Sequence, residues 1–599
     1  MAWYDEAVFY HIYPLGLAGA PKQNDYGEPV HRLNTLLPWV DHIKEIGGSA
    51  LYIGPLFESV GHGYETTDYK KLDSRLGTNE DLTAFVAYCH EQGIKVIFDG
   101  VFNHTGRDFF AFKDIQANRE NSHYKDWYCN VNFWGNNEYN DGFSYDNWGG
   151  YNLLVKLNQK NPAVVDYICD VIRFWVSEFD VDGIRLDAAD VLDFDFMKAL
   201  RRTANEVKPD FWLMGEVIHG DYSRWVNGET LHSVTNYTLH KALYSGHNDH
   251  NYFEIAHTVR RLQNMGTLKL YNFVDNHDVE RIYTKLTNKA HFAPVHVLLY
   301  TLPGVPSIYY GSEFGIEGRK EYGSDDSLRP ALNIEDYKDS VKTNPCTALI
   351  AALGKVRQAV PALSYGSYDE LMLTNRQFAY ARDLDGTRVI VSVNNDDAPA
   401  GMHLAAGNCT AYIGALSGEK VSVQDGHINI TQPANSGEIW VPDGTDLDVK
   451  PVKVVTKTES EAKTNTEDKA ASETATDAKG NKGAEPKIES KESKDIVTAT
   501  ESADAKKNTT NTEKNISAAN EVKDSAKDAS AQAAADTPVD PETITVDWSK
   551  SPESMTVPEL QAAILAKLAG NGPVDAQMKK TVTDNIWHDS LVNWLKSFR

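Results

Sequence analysis

Short β-branched or aromatic runs alternate with amphipathic stretches of helical length through about residue 355. The runs predict strands at Val8–Tyr13, Ala50–Ile53, Lys95–Asp99, Gly183–Asp187, Trp212–Glu216, Leu231–Thr235, Leu270–Val274 and Ser307–Tyr310. Between them, apolar residues at helical spacing predict helices at Asn34–Ile46, Asn79–Gln92, Pro162–Glu178, Phe194–Val207, Tyr252–Met265 and Ala290–Thr301. Eight strands interleaved with helices are the sequence form of an α/β fold, the (β/α)8 TIM barrel. The expected barrel occupies residues 1–102 and 158–358. Residues 103–157, rich in Asn, Trp, Tyr and Gly, interrupt it after strand 3 and read as a small inserted domain.

From about Pro361 the apolar positions switch to alternation, with Asp385-Gly386 as a hairpin turn. Candidate strands there are Gln377–Arg382, Arg388–Asn394, Cys409–Ile413, Ile428–Thr431 and Gly437–Val441. Residues 359–446 are therefore expected to form an antiparallel β-sandwich domain. Residues 447–545 are dominated by Lys, Glu, Asp, Ser, Thr, Ala and Asn, a composition that predicts a disordered linker. Hydrophobicity returns in residues 546–599. Leu560, Ile564 and Leu568 fall four apart after Val557-Pro558-Glu559, and a small helical domain is expected. Such a domain is marginal alone, so it is a candidate for a protein partner, self-association or docking on the barrel.

Composition narrows the function. There are 59 basic and 85 acidic residues, a formal net charge of −26, which argues against nucleic acid as a partner. The first 450 residues hold 39 basic and 60 acidic side chains and 58 of the 62 aromatics, so acidity and aromatic surface coincide there. That combination suits a neutral hydroxylated ligand. No run reaches the ~18 apolar residues of a membrane span. The start Met1-Ala2-Trp3-Tyr4-Asp5-Glu6 has no basic segment of a secretory signal. Five widely spaced cysteines (Cys89, Cys129, Cys169, Cys346, Cys409) read as free thiols in a reducing compartment, so a cytoplasmic location is expected.

Barrel chemistry sits at the carboxyl ends of the strands. The third ends Asp99-Gly100-Val101-Phe102-Asn103-His104, and the fourth runs Gly183-Ile184-Arg185-Leu186-Asp187. The fifth ends Met214-Gly215-Glu216, and the seventh ends Phe273-Val274-Asp275-Asn276-His277-Asp278. Arg185 and Asp187 lie two apart on a strand and share a face, so the cation keeps Asp187 ionised. Carboxylates crowding Glu216 favour its protonated form. Two carboxyls in opposite protonation states are the machinery of glycoside hydrolysis. For a single acid, a surface position or helix cap explains the residue equally well. Three acids with Arg185 and histidines at two of the ends leave that explanation little room.

These segments resemble, in order, the four signature regions of the α-amylase family of retaining glycoside hydrolases (family 13). Tyr64, in Gly61-His62-Gly63-Tyr64-Glu65-Thr66-Thr67-Asp68-Tyr69, matches the family's sugar-stacking aromatic, and Leu302–Glu313 resembles its eighth strand. The resemblance spans about residues 5–445. It implies Asp187 as nucleophile, Glu216 as general acid/base and Asp278 as the carboxylate that steadies the transition state. Tyr64, Asp99, His104, Arg185 and His277 are implied to position the sugar or Asp187.

Leu154-Val155-Lys156-Leu157-Asn158 and Ala188-Ala189-Asp190-Val191-Leu192-Asp193 resemble the cyclomaltodextrinase, maltogenic amylase and neopullulanase group. The first of these segments departs at its first two positions, and that group's N-terminal β-domain has no counterpart before Val8. The implied substrates are maltodextrins or cyclodextrins, and no cofactor is required. A structural Ca2+ at Asn103 is a further implication of the resemblance. Residues 137–148 fail as an EF-hand loop, with Tyr139 and Trp148 at ligand positions. Two alternatives stand: a transglycosylase using the same intermediate, and a non-catalytic carbohydrate-binding protein. Trp127, Tyr128, Phe133, Trp134, Tyr139, Tyr145, Trp148 and Tyr151 either line a cleft or form the inserted domain's core.

Overall fold

The computed structural model describes residues 2–266, 268–321, 324–447, 449, 546, 550–552, 555–570, 582 and 595. Two compact units divide the chain, Met1–Ser490 and Lys491–Arg599.

In the first unit the parallel strands are β1 (Phe9–Ile12), β2 (Ala50–Ile53), β3 (Lys95–Gly100), β4 (Gly183–Leu186), β5 (Trp212–Gly215), β6 (Ser233–Val234), β7 (Tyr271–Phe273) and β8 (Val305–Tyr309). Their spatial order, β6-β5-β4-β3-β2-β1-β8-β7, forms one parallel sheet. A parallel bridge between Thr235 and Tyr271 brings its two edges together, giving the barrel. The sixth and seventh strands are shorter than the sequence pattern predicts.

Alternation along the strands sorts the side chains into two sets. Tyr10, Ile12, Leu51, Ile53, Val96, Phe98, Ile184 and Leu186 join the large core shared with the helices. Phe9, Ala50, Ile97, Trp212, Tyr271 and Val305 belong to a separate, aromatic-rich cluster. Two residues further along the same faces come His11, Tyr52, Asp99, Arg185 and Met214, so the chemistry stands one step above an apolar plug. Gly183 makes room for that plug: a Cβ there would lie 2.5 Å from the Trp212 carbonyl oxygen.

Local capping sets the helices. Thr78 and Asp81 form a reciprocal capping box at the start of the helix Asn79–Glu91. Asn161 caps Pro162–Phe179, with Pro162 at its first position. Asp193 caps Phe194–Val207 through the amides of Asp195 and Phe196. Between β3 and β4, the strands His104–Thr105, Asn147–Trp148 and Tyr151–Lys156 make a small antiparallel sheet beside the helix Phe110–Asn118.

Beyond the barrel come β9 (Ser367–Leu373), β10 (Gln377–Leu384), β11 (Thr387–Asn394), β12 (Ala400–Ala405), β13 (Ala411–Gly414), β14 (Lys420–Ser422), β15 (His427–Gln432) and β16 (Ser436–Pro442). Six form an antiparallel sheet in the order β9-β10-β11-β16-β13-β14, and β12 pairs with β15. Asp385 and Gly386 both take positive φ, 49° and 82°, in the turn joining β10 to β11. Arg382 and Tyr380 tie this domain to the barrel helix Phe292–Thr301: Arg382 Nη1 donates to the Thr301 carbonyl, and the Thr301 and Tyr380 hydroxyls pair.

The expected linker, 447–545, lies outside the described residues apart from Leu447 and Val449. In the second unit the helix Val557–Gly570 packs Leu560, Ala563 and Ile564 against Met555, Val582 and Leu595. The further helices expected within 574–583 and 586–598 lie outside the described residues, save for Val582 and Leu595.

Several histidines are buried neutral. Burial lowers His104, His240, His247 and His277 to about 3 and His296 to about 4. Their folded values lie below the ordinary 6.5, so the unfolded chain binds protons more tightly. Stability is therefore complete above about pH 6.5 and falls as pH drops toward 3, by about 1 kcal/mol per histidine per pH unit. Thermal melts from pH 7 to 4 should show a steady fall in Tm, and a flat profile would contradict the burial.

Candidate active site

Arg185 organises the carboxyl end of the barrel. Its Nη1 lies 2.8 and 3.0 Å from the two Asp99 oxygens and 2.9 Å from Asp187 Oδ1. Its Nη2 lies 2.9 Å from Glu216 Oε2. One planar guanidinium thus joins acids from the ends of β3, β4 and β5. Burial alone would pull the Arg185 pKa down, but Asp99 and its neighbours hold it well above its ordinary value. Burial raises Asp99, against the pull of Arg185.

The four acids differ in access. The Asp99 side chain is fully enclosed, while Asp187, Glu216 and Asp278 are 11%, 8% and 18% accessible. Asp99 also accepts from the Tyr52 hydroxyl at 2.8 Å and the Tyr64 hydroxyl at 3.2 Å. It anchors Arg185 from behind. Glu216 is held by more than like charges: besides Arg185, the Ala188 amide donates to Oε2 at 3.2 Å and the Tyr237 hydroxyl to Oε1 at 3.3 Å. Ala188 reaches it from a left-handed conformation, φ 48° and ψ 42°, a geometry costing about 1 kcal/mol for a residue with a Cβ.

Asp278 closes the cluster from β7. Its own amide and that of Val279 bond to Asn276 Oδ1, fixing the turn. Arg329 Nη2 lies 2.9 Å from Asp278 Oδ1, and His277 Nε2 lies 3.2 Å from Oδ2. Tyr64 and Tyr13 both lie nearly parallel to the His277 ring, with interplanar angles of 12°. The Tyr64 hydroxyl pairs with His277, linking Asp278 to Asp99. His104 is buried, with Nε2 3.1 Å from the Tyr64 carbonyl oxygen, so it fixes the backbone that carries Tyr64.

Asp187, Glu216, Asp278, Tyr64, Asp99, His104, Arg185 and His277 therefore belong to one bonded network. Tyr52, Tyr237 and Arg329 were not legible in sequence. Arg329 follows β8 beside β7 and Tyr237 follows β6 beside β5, so each reaches the cluster through the pairing of neighbouring strands. A tyrosine two residues beyond the predicted strand Leu231–Thr235 is the signal that marks Tyr237.

Asn103, the residue implied for a structural Ca2+, is joined to its neighbours through its side-chain amide. Its Oδ1 accepts from Gln159 Nε2 at 3.3 Å, and its Nδ2 meets His104 Nδ1 at 3.3 Å. Gln159 also accepts from the Asp193 amide at 2.7 Å, so an amide cross-link occupies this position. Among the described residues, no group of three His, Cys, Asp or Glu side chains is placed to hold a metal.

A closed eight-stranded barrel whose acids meet at the strand ends defines a glycosidase-type architecture. Residues 32–355 match the family model described as alpha amylase, catalytic domain. The chain belongs to the α-amylase family. It is 31% identical over 422 residues to a cyclomaltodextrinase of a Bacillus species, spanning 66% of this chain and 74% of that protein. It is 29% identical over 473 residues to neopullulanase 2 of Thermoactinomyces vulgaris, spanning 73% and 78%. A solved cyclomaltodextrinase structure superposes with a TM-score of 0.66 at 27% identity, covering 73% of this chain and 78% of that one. A Nostoc punctiforme debranching enzyme gives 0.63 at 26%, covering 73% and 98%.

Proposed function

We propose that the chain is a retaining glycoside hydrolase that cleaves α-1,4-glucosidic bonds of maltodextrins and cyclodextrins. The observation that carries this reading is the single guanidinium of Arg185 shared by Asp99, Asp187 and Glu216. Asp187, kept anionic by Arg185, attacks the anomeric carbon and forms a covalent β-glycosyl ester. Glu216 protonates the glycosidic oxygen as the bond to the leaving sugar breaks. Ionised Glu216 then takes a proton from water, which displaces Asp187 and releases a sugar of retained α configuration. Asp278 faces the positive charge that develops on the ring. Tyr64, ordered by His277 and His104, offers the stacking face. Neither step calls for a cofactor, and a structural Ca2+ at Asn103 belongs to the same proposal.

The names of the relatives support this substrate class, and one of them, from Bacillus subtilis, is an intracellular maltogenic amylase. We place the chain in the cytoplasm on that ground and on its cysteines, all five of them free thiols. No helix of the described residues is long and apolar enough to cross a membrane. The buried face of Val557–Gly570 fits a small helical domain suited to self-association or a protein partner.

Product analysis tests the reading. Incubation with maltotriose, β-cyclodextrin, pullulan and starch should release glucose and maltose from the first two faster than from starch. Longer transfer products would indicate a transglycosylase, and no turnover of any of the four would refute the proposal.

A further inference from the structure

The inserted segment carries a groove that the catalytic cluster does not use. It has a volume of about 650 Å³ and is lined by Glu120, Asn130, Asn132, Trp134, Ser144, Asp146 and neighbouring residues. That size lies within the roughly 300–1,000 Å³ of small-ligand sites.

Trp134 dominates its rim. The residue is 97% exposed, whereas the other exposed large hydrophobic residues among those described reach at most 47%. Two other aromatics of the inserted segment are buried and serve as core, Tyr128 at 2% exposure and Tyr145 at 7%. An indole left wholly in water forgoes burial that its neighbours achieve.

The loop presenting it is held firmly. The Trp134 amide donates to Asn132 Oδ1 at 3.0 Å, and Asn132 and Ser144 exchange backbone bonds of 2.8 and 2.9 Å. Arg119 donates to the carbonyls of Asp141 and Gly142 at 3.0 and 2.9 Å, and its guanidinium lies 5.5 Å from the Phe133 ring. Nearby, Asn130 Nδ2 donates to Asp146 Oδ2 at 2.8 Å. The platform is therefore preorganised, which lowers the entropic cost of binding.

The lining chemistry selects the ligand. Glu120 and Asp146 are its only charged groups and both are acidic, so phosphate and carboxylate ligands are disfavoured. Amides, a hydroxyl and carboxylates beside a flat aromatic face match a neutral polyol with an apolar ring face. We propose that this groove is a second α-glucan-binding site, taking a short stretch of linear maltodextrin with Trp134 stacked on one glucose ring. This rests on the α-glucan reading of the catalytic cluster. The site would hold a long substrate near the enzyme without entering the chemistry.

The experiment uses the full chain and maltoheptaose. In an Asp187→Asn background, where the probe survives, calorimetric titration should show two classes of site. Adding Trp134→Ala should abolish one class, and Trp134→Phe should retain it. In the active chain, Trp134→Ala should leave maltotriose turnover within about twofold and weaken apparent affinity for soluble starch roughly fivefold. One binding class in both backgrounds would overturn the second site, as would a large loss of maltotriose turnover, which would put Trp134 in the catalytic cleft. Failure of the unsubstituted chain to hydrolyse any α-glucan would instead overturn the functional reading.

Discussion

Asp187→Asn should leave the chain folded and lower maltotriose turnover by at least about 10⁴-fold. The carboxamide has nearly the same shape and still offers Arg185 an acceptor oxygen, so Tm should move little. What disappears is the anionic nucleophile, and with it the covalent intermediate. A comparison with Glu216→Gln separates the two roles. A glucoside with a strongly acidic leaving group needs no protonation, so Glu216→Gln should recover much of its turnover on that substrate. Asp187→Asn should remain inactive on both. Full turnover in Asp187→Asn would remove the catalytic reading altogether.

Arg185→Met should be the most disruptive single change in stability. The side chain is buried and bonded to three carboxylates, so its loss leaves buried negative charge without a partner. Breaking a buried ion pair in this way costs about 3–5 kcal/mol. The sign of the pH dependence follows from Asp99. Burial already raises its carboxyl above the usual range, with Arg185 pulling the other way. Without Arg185 it rises further, and a raised folded value means stability is retained at low pH and lost as pH rises. The Tm deficit of Arg185→Met should therefore shrink between pH 8 and pH 5. A deficit constant across that range would assign the loss to packing. Arg185→Lys should recover only part of the deficit, because an ammonium cannot match the planar fork.

Much of this architecture was legible because it rests on local alternation. Asp99, Arg185, Asp187 and Glu216 stand at even spacings from buried strand residues, so a strand assignment at once places them on the inner face. Strands β6 and β7 were read longer than they are, since the apolar runs there continue into loops buried by their neighbours. Tyr52 was hidden for the opposite reason, as an aromatic in a buried strand looks like core until the Asp99 oxygen is seen beside it. The inserted-segment aromatics could not be sorted by sequence at all. Tyr128 and Trp134 sit in similar local surroundings, and only long-range packing buries one and exposes the other. Nor could the sequence show that Asn103 finds a partner in Gln159, 56 positions away.

The three-way grip of Arg185 also governs how this site can change over evolutionary time. Removing any one of its acids leaves the cation and the remaining two carboxylates with a different charge balance, so effects at these four positions will not add. A lineage drifting toward another glycoside chemistry could not exchange Asp99, Asp187 or Glu216 singly without disturbing the charge balance around Arg185. Variation is channelled instead into the loops beyond the strand ends, where Tyr237 and the inserted segment lie outside the charge balance around Arg185.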